Sequence, residues 1–574
     1  MTAQVQVLVV GAGPAGLTVA LALAGQGVRV RVVDRRPGGA AGTGCHMVWP
    51  RTLEALDRAG LPVARLARRG LTVRRKVFHL GEESFSHGLE DPRGLWPLPL
   101  SVEQAVLEEE LAVEAEALGV RVERSVEAVA VEQDAARAVV ELRGPGGAER
   151  VTAGWVVLAQ GGADGLRERL GFGWHAEPLP GGRVVHMDVE LPATAGLAPS
   201  SEYIFLGRGR SAGLVPLPGG RHRLFAVLGE DGDVPGAPGP GAAGEGTGPT
   251  PGQGGQPGTP WPGVPDVVRE LTGIEKGIRH LGQDWCFRPR HGIAASFRRG
   301  RCFLVGESAK AAPMPVHGMN GGVQDAYNLA WKLGAVLRGR AGEWLLDTYS
   351  AERRAVAEDV FGKARRILAF GTAPDPDATH GERVRRRRHD VKTEPPLRYH
   401  GEPLHHDGHA MPGPRVGEQL PDAPVVTPSG APGTLLRSLA GGSAWTMLVM
   451  CRDGAGARAA GGARAAVAGV AALRVCVVGA LPWEGAAELD GDVMVRLGDP
   501  GGTAHAALEV REPVVYLLRP DGHIGYRGRL ADLNGLRAYA ARVLRPGVPR
   551  PAAPTGDPMT RDGAARPRGR SRNA

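Results

Sequence analysis

Val5-Gln6-Val7-Leu8-Val9-Val10-Gly11-Ala12-Gly13-Pro14-Ala15-Gly16, with an aspartate at position 34, is the stretch on which the fold turns. The apolar run before Gly11 reads as a strand, and the Ala/Leu-rich residues after Gly16 read as a helix to about residue 24. Residues 28–33 then read as a second strand that ends at Asp34. In this setting Gly11 makes a tight turn, Gly13 lets a pyrophosphate approach the backbone, and Gly16 packs helix against strand. The opening turn of the helix, with Ala15, offers N–H groups and a partial positive charge to phosphates. Asp34 is placed to accept from a ribose hydroxyl, and Arg35 beside it is a further candidate contact. Strand, glycine turn, helix, strand and acid together point to dinucleotide binding, and Pro14 favours FAD over NAD.

Outward from that unit, a chain of 574 residues with 23% charged and 42% hydrophobic residues has the composition of a soluble globular protein of three or four domains. No apolar run approaches the roughly 18–20 residues that a bilayer span needs, so no membrane association is expected. The first residues run straight into a strand without the basic, apolar and small-residue order of an export signal, and a cytoplasmic location is expected. Five cysteines without a Cys-x-x-Cys pair indicate neither a disulfide framework nor a metal site. The net charge of +8 invites a nucleic-acid reading, but eight arginines against Asp557 and Asp562 lie in residues 542–572. That stretch is rich in Pro and Gly and has no interleaved aromatics, so it reads as a solvated tail and no nucleic-acid partner is expected.

The rest of the chain alternates element types. Helices are expected at 51–59 and 102–118, and a strand meander at 120–124, 127–133 and 138–142. Residues 183–229 read as strands of one mixed sheet. From 235 to 260, 17 of 26 residues are Gly or Pro, which reads as a flexible excursion. A helix at 264–272, strand-like residues 279–287, a strand at 301–306 and a long helix at 321–338 follow. Strands at 445–451, 475–479, 493–497 and 514–518 come after the basic run Arg385 to Arg388, the last turning through Arg519-Pro520-Asp521-Gly522 into 523–526.

Four stretches carry a family resemblance. They are the glycine turn, Pro50-Arg51-Thr52-Leu53-Glu54-Ala55-Leu56, Gln104 within Ser101-Val102-Glu103-Gln104, and the run Gly318-Met319-Asn320-Gly321-Gly322-Val323-Gln324-Asp325-Ala326-Tyr327-Asn328-Leu329-Ala330-Trp331-Lys332-Leu333, continued at Tyr349-Ser350-Ala351-Glu352-Arg353-Arg354. With these the chain resembles the FAD-dependent aromatic hydroxylases, single-component flavoprotein monooxygenases of the para-hydroxybenzoate hydroxylase and phenol hydroxylase type. The resemblance covers about 1–365, and 401–544 is similar to the thioredoxin-like appendage of the longer members. It implies an α/β protein with a Rossmann-like (GR2-type) FAD-binding domain from 1–72, 101–175 and 282–365. A β-sheet substrate domain would comprise 73–100 and 176–281. A linker or helical basic segment (366–400), a thioredoxin-like domain (401–545) and a disordered basic tail (546–574) complete the expected organisation. Arg51 and Gln104 are implied FAD contacts.

The chemistry of the Gly318 run also stands without the family. Gly318, Met319 and Asn320 precede a long helix, so their N–H groups and the helix dipole can face the pyrimidine end of an isoalloxazine ring and stabilise the negative charge of reduction. Against the family pattern, Glu307 stands for the Asp that binds the ribityl chain, Lys310 stands for a His, and Pro313-Met314-Pro315-Val316-His317 replaces a glycine-rich turn. Gln160-Gly161 aligns with the family's Asp-Gly that contacts FAD and reduced nicotinamide; Ala163-Asp164-Gly165 offers those letters four residues late. Pro313 is a candidate flavin contact. His317 and His46 are the candidate catalytic residues, each able to deprotonate or orient a phenol.

The resemblance implies hydroxylation of an aromatic or polycyclic phenol with FAD, NADPH or NADH, and molecular oxygen. Richness in Ala, Gly and Arg associates the chain with natural-product tailoring of polyketides and antibiotics. Baeyer-Villiger oxygenation of a polycyclic ketone, flavin chemistry without a nicotinamide reductant, and a non-catalytic flavin-containing binding protein are the alternatives. A homodimer is left open.

Overall fold

The computed structural model describes residues 3–39, 47–80, 83–162, 165–178, 184–192, 195–206, 211–227, 268–270, 272–274, 277–281, 285–287, 290–311, 318–372, 398–400, 404–439, 441–452, 454–468, 470, 473–479 and 494–544. The Gly/Pro-rich excursion, the basic run and the C-terminal tail lie outside these residues, as do 264–267 and 271 of the expected 264–272 helix, of which 268–270 and 272 are helical.

The strand Ala3–Val10 runs parallel between Gly147–Leu158 and Val30–Asp34. The sheet continues to Val122–Arg124 on one side and to Cys302–Leu304 and Arg298–Arg299 on the other. Val7, Leu8 and Val9 are fully buried, as a central parallel strand covered on both faces requires. The meander Glu127–Gln133, Ala138–Gly144, Gly147–Leu158 is antiparallel. The helix Pro14–Ala24 packs on Gly318–Leu337. That long helix begins three residues earlier than expected, so Gly318, Met319 and Asn320 are its first turn. First-turn N–H groups have no intrahelical partner, so their availability is unchanged.

A second sheet has the order Arg279–His280, Val184–Glu190, Arg221–Val227, Ser211–Pro216, Ser201–Leu206, Arg75–Leu80, Glu83–Gly88, with Trp285–Phe287 also pairing Val184–Glu190. Its two faces separate by the two-residue period. Val185, Met187, Val189, Leu214, Leu224 and Ala226 form an apolar cluster on one face. On the other, Val215 and Phe225 meet Met47 and Trp49. A small antiparallel sheet, Trp174–Pro178, Arg290–Ala294, Lys310–Ala311, was not foreseen. The C-terminal sheet runs Trp445–Met450, Leu473–Gly479, Met494–Gly498 in parallel, with Val514–Leu518 and Ile524–Arg529 antiparallel beside them. Among the described residues no helix is long and apolar enough to cross a membrane.

The C-terminal domain meets the first domain through charged groups that are out of water. Glu352, on the helix Trp344–Thr372, receives Lys332 at 2.8 Å, Asn328 at 2.8 Å, and both terminal nitrogens of Arg519 at 2.6 and 2.9 Å. Arg519 also donates to both oxygens of Asp521, and Trp331 Nε1 reaches Asp521 at 3.1 Å. Burial pushes the Glu352 and Asp521 carboxyls up, but Arg519 with Lys332 at Glu352, and Arg519 with His523 at Asp521, outweigh it and hold both well below the usual range. Folded-state values below the unfolded ones mean stability that is present above the ordinary carboxylate range near pH 4 and lost as pH falls through the folded values. Glu352→Gln leaves buried cations uncompensated and is expected to lower the unfolding free energy by about 3–5 kcal/mol at pH 7. Urea unfolding checks this, and the gap to the unmodified protein should narrow as the pH is taken below 4.

Candidate functional site

The site forms where four strands of the parallel sheet end, Ala3–Val10, Val30–Asp34, Gly147–Leu158 and Cys302–Leu304. Gly11 follows Val10 with φ of +106°, and a Cβ there would lie 2.3 Å from the Ala159 carbonyl oxygen. At Gly16 a Cβ would lie 1.9 Å from the Gly11 oxygen. At Gly13, by contrast, the nearest atom to such a Cβ is Glu108 Oε1 at 3.9 Å, so this position is open on the side a ligand would take. Gly13 is the N-cap of the Pro14–Ala24 helix, without a capping side chain and with no acid in the first turn. Gly306, two residues past the strand Cys302–Leu304, has φ of +64° and packs against Ala15 and Gly322, which brings the starts of the Pro14–Ala24 and Gly318–Leu337 helices together.

Asp34 is buried, and it fixes the turn: its Oδ2 accepts the Ala12 N–H at 2.7 Å and its Oδ1 accepts the Arg36 N–H at 2.8 Å. Burial raises the carboxyl's pKa, but the Arg36 guanidinium and these two N–H groups hold it below the usual range. The Arg36 side chain fills the remaining acceptor sites, Nε on Oδ1 at 3.1 Å and Nη2 on Oδ2 at 3.0 Å, so a ribose hydroxyl would take the place of that guanidinium. Arg35, the residue singled out from sequence, is exposed; Arg36 is the arginine that turns back onto Asp34 and toward Glu108 at 3.7 Å. Gln104 donates to Glu108 at 2.9 Å, so Gln104, Glu108, Arg36, Asp34 and Gly13 gather at one place. Glu108 and Arg36 were missed by sequence reasoning. Glu108 lies in a Glu-Glu-Glu run that reads as a solvated face, and only the glutamine four residues before it hints otherwise.

At the other end, Gly161 (φ of +87°) and Gly318 flank the Glu307 carboxyl: Cβ atoms built on them would lie 3.9 Å from Oε2 and 3.3 Å from Oε1. Glu307 is exposed as a residue, yet the protein atoms gathered around its carboxyl raise its pKa. Ser308 donates to the Gly161 carbonyl at 3.2 Å. Gln160, two residues past the strand Gly147–Leu158, is half-buried. The Asn320 side chain bridges Trp49 N at 3.0 Å and the Met47 carbonyl at 2.8 Å, so it anchors the segment that faces the second sheet. Met319 is half-buried in the same turn. Arg51 turns to Glu54 at 3.1 Å and Asp91 at 3.5 Å, and it lines a cavity with Gln324, Asn328, Tyr399 and His523. It is not brought to the glycine turn by any of these contacts. His317, His46 and Pro313 lie outside the described residues.

Lys310 sits behind the Gly318 turn, buried, with its Nζ on Asp325 Oδ2; a Cβ on Gly321 would lie 3.3 Å from Lys310 Cε. Burial pushes this lysine down to about 8 against the pull of Asp325. On the second sheet, the face that meets Met47 and Trp49 also carries His186, opposite Phe225, and Asp188, opposite Arg223. Arg223 pairs with Asp188, both buried, and burial pushes His186 down to about 3, so it is neutral at any working pH.

These features suit FAD: an open glycine beside an uncapped helix start for the pyrophosphate, an acid for ribose, and a second helix start for the ring. The profile of a family described as FAD binding domain matches residues 4–231 and 252–364, more than half of the chain. The chain belongs to the FAD-binding monooxygenase family.

Relatives of this chain include 6-methylpretetramide 4-monooxygenase of Streptomyces rimosus, 33% identical over 377 residues, which are 64% of this chain and 62% of that protein. The matched part of the chain thus spans less than two thirds of that relative. Aklavinone 12-hydroxylase RdmE of Streptomyces purpurascens is 33% identical over 413 residues, 65% of this chain and 70% of that one. A solved ternary complex of aklavinone-11 hydroxylase with FAD and aklavinone superposes with a TM-score of 0.71 at 26% identity, covering 95% of this chain and 99% of that chain. The fold therefore extends through the substrate sheet and the C-terminal domain.

Replacing Asp34 by Ala removes the acceptor for Ala12 N–H and leaves Arg36 and Arg124 without their shared carboxylate. The Asp34→Ala protein is expected to bind FAD at least about tenfold more weakly, roughly 1.4 kcal/mol, by fluorescence titration of the apoprotein. Gly16→Val is expected to purify colourless.

Proposed function

We propose that this chain hydroxylates an electron-rich polycyclic aromatic, a phenol of the polyketide type, using NADPH or NADH and molecular oxygen. The observation that carries the reading is the pairing of an FAD cradle with a buried, mixed polar and aromatic sheet face at Met47 and Trp49. The printed activities of the relatives support the substrate class. FAD, when bound, supplies two-electron reduction by nicotinamide and the activation of oxygen.

The chain's own residues would do the rest. Gly11, Gly13, Ala15 and Gly16 hold the pyrophosphate by backbone N–H groups and helix dipole, and Asp34 holds the ribose. Gln104 lies beside Glu108 at that end. Glu307, Gly161 and Gln160 flank the ribityl side, where the carboxylate can accept hydrogen bonds from hydroxyls. Gly318, Met319 and Asn320 present first-turn N–H groups to the pyrimidine end and favour negative charge there. The second sheet would cover the reacting region: its Phe225, with Trp49 from the segment facing it, would offer ring faces and exclude water, and its His186 a neutral imidazole that can orient a phenol without competing for its charge. His317 and His46 stay the proposed candidates for taking the phenol proton. An aromatic ring bearing oxygen substituents suits such a wall.

Gln160 and Lys310, where the family pattern has Asp and His, favour one second reading, flavin chemistry without an external reductant. Anaerobic stopped-flow mixing of the yellow protein with NADPH or NADH decides between the two. Bleaching near 450 nm that a polycyclic phenol accelerates, and incorporation of one labelled oxygen atom from O2 into the product, are expected. Firmly bound FAD that neither reductant bleaches would sink the hydroxylase reading.

A further inference from the structure

Lys310, Asp325 and Arg353 form a buried cluster against the helix start that the preceding reading assigns to the flavin ring. The Arg353 guanidinium has three partners: Nε donates to Asp325 Oδ1 at 2.6 Å, Nη2 reaches the Gly321 carbonyl at 3.5 Å, and Nη1 donates to the Tyr399 hydroxyl at 3.0 Å. Asp325 takes Lys310 on its other oxygen. Arg353 and Asp325 are wholly out of water. A planar fork fixed at three corners has one orientation, and a partner missing at any corner leaves a buried N–H unsatisfied.

Two of those corners belong to the FAD domain, and the third does not. Tyr399 lies just ahead of the C-terminal domain, and that domain holds it: the His523 ring centre is 4.3 Å from the Tyr399 ring, and the Arg519 guanidinium carbon lies 4.9 Å over it. The Tyr399 backbone N–H donates to the Gly417 carbonyl at 2.9 Å, and Gly417 N–H donates to Ile524 O at 2.7 Å, so the residue is stitched to the hairpin that carries Arg519 and His523. Asn328 ties the same hydroxyl, at 3.2 Å, to Glu352, which Arg519 grips with both terminal nitrogens. The path from the hairpin to Gly321 is therefore short and made wholly of directional contacts.

We propose that Tyr399 and Arg519 are positioning residues of the flavin site: through Arg353 they hold Asp325, Lys310 and the Gly318–Gly321 turn in the arrangement that receives the ring, which makes the C-terminal domain a working part of that site. This rests on the assignment of the Gly318 turn to the flavin. The domain's contribution is then electrostatic as well as structural. A turn held rigid, with Lys310 behind it, stabilises negative charge on the ring better than a turn that fluctuates.

The test uses full-length, FAD-loaded protein carrying Tyr399→Phe, Arg519→Lys or Gly318→Val, with far-UV circular dichroism and thermal unfolding as folding controls. Tyr399→Phe removes one hydroxyl at nearly constant volume, and Arg519→Lys keeps the charge but loses the two-pronged grip. In folded Tyr399→Phe and Arg519→Lys, the midpoint potential of bound FAD should move to a more negative value, and the FAD dissociation constant should rise about three- to tenfold. A merely structural role would lower the thermal midpoint alone. Should Tyr399→Phe fail to fold, Arg519→Lys carries the comparison. If both fold with an unaltered potential and FAD affinity while Gly318→Val shifts them, the coupling is overturned and the turn assignment stands. If Gly318→Val shifts neither, the turn assignment itself is wrong and the proposal falls with it.

Discussion

Carboxylates buried at the junction of three structural units hold this molecule in one arrangement. Asp325, Glu352 and Asp521 are each almost fully removed from water; Asp325 and Glu352 are met by cations from other elements, and Asp521 by Arg519 of its own hairpin. Asp325 takes Lys310 and Arg353, Glu352 takes Lys332 and Arg519, and Asp521 takes Arg519. The partners come from the small sheet, from the helices Gly318–Leu337 and Trp344–Thr372 and from the C-terminal hairpin. No unit can shift without leaving a buried charge unpaired, and that cost exceeds anything an apolar contact of similar area would impose.

This accounts for the wording of the Asp325 to Lys332 run. Asp325, Asn328 and Lys332 follow one another at three- and four-residue spacing, so they share a helix face, and Glu352 and Arg353 meet that face from the next helix. Tyr349 donates to the Leu304 carbonyl at 2.7 Å and Ser350 accepts the Phe297 N–H at 2.9 Å, so the second stretch pins its helix to the parallel sheet as well. The residues that carried the family resemblance are those with directional partners.

What the sequence made legible was local. The glycine turn and Asp34 could be read because strand, turn and helix follow within a few residues and each glycine answers one steric demand. Arg36 could not be told from Arg35, since the strand's alternation ends at Asp34 and the turn decides which side chain folds back. Glu108 looked solvated beside Glu109 because a charge run gives no sign of which member faces the turn. The sheet wall was illegible for another reason: His186 joins Phe225, and Asp188 joins Arg223, only through strand register, which a one-residue slip would reverse. Tyr399 lay in a stretch read as linker, and its partners come from positions 328, 353 and 523, which no spacing rule connects.

The same charges bear on why the domains remain together. The cluster holds four cations (Lys310, Lys332, Arg353 and Arg519) against three carboxylates, so it leaves a positive excess inside the protein. An apolar seam of equal shape would be as stable or more so, because ions must be stripped of water before they pair. What ions add is direction: Arg519 reaches its two carboxylates from one angle, and Arg353 must satisfy three acceptors at once. Lys310 and Lys332, both pushed down to about 8 by burial, are the members least able to keep their charge, and Lys310 stands beside the turn at Gly321. Negative charge arriving near that turn would help retain the lysine's proton, and the retained proton would in turn favour the negative charge. The two effects are reciprocal, as linkage demands.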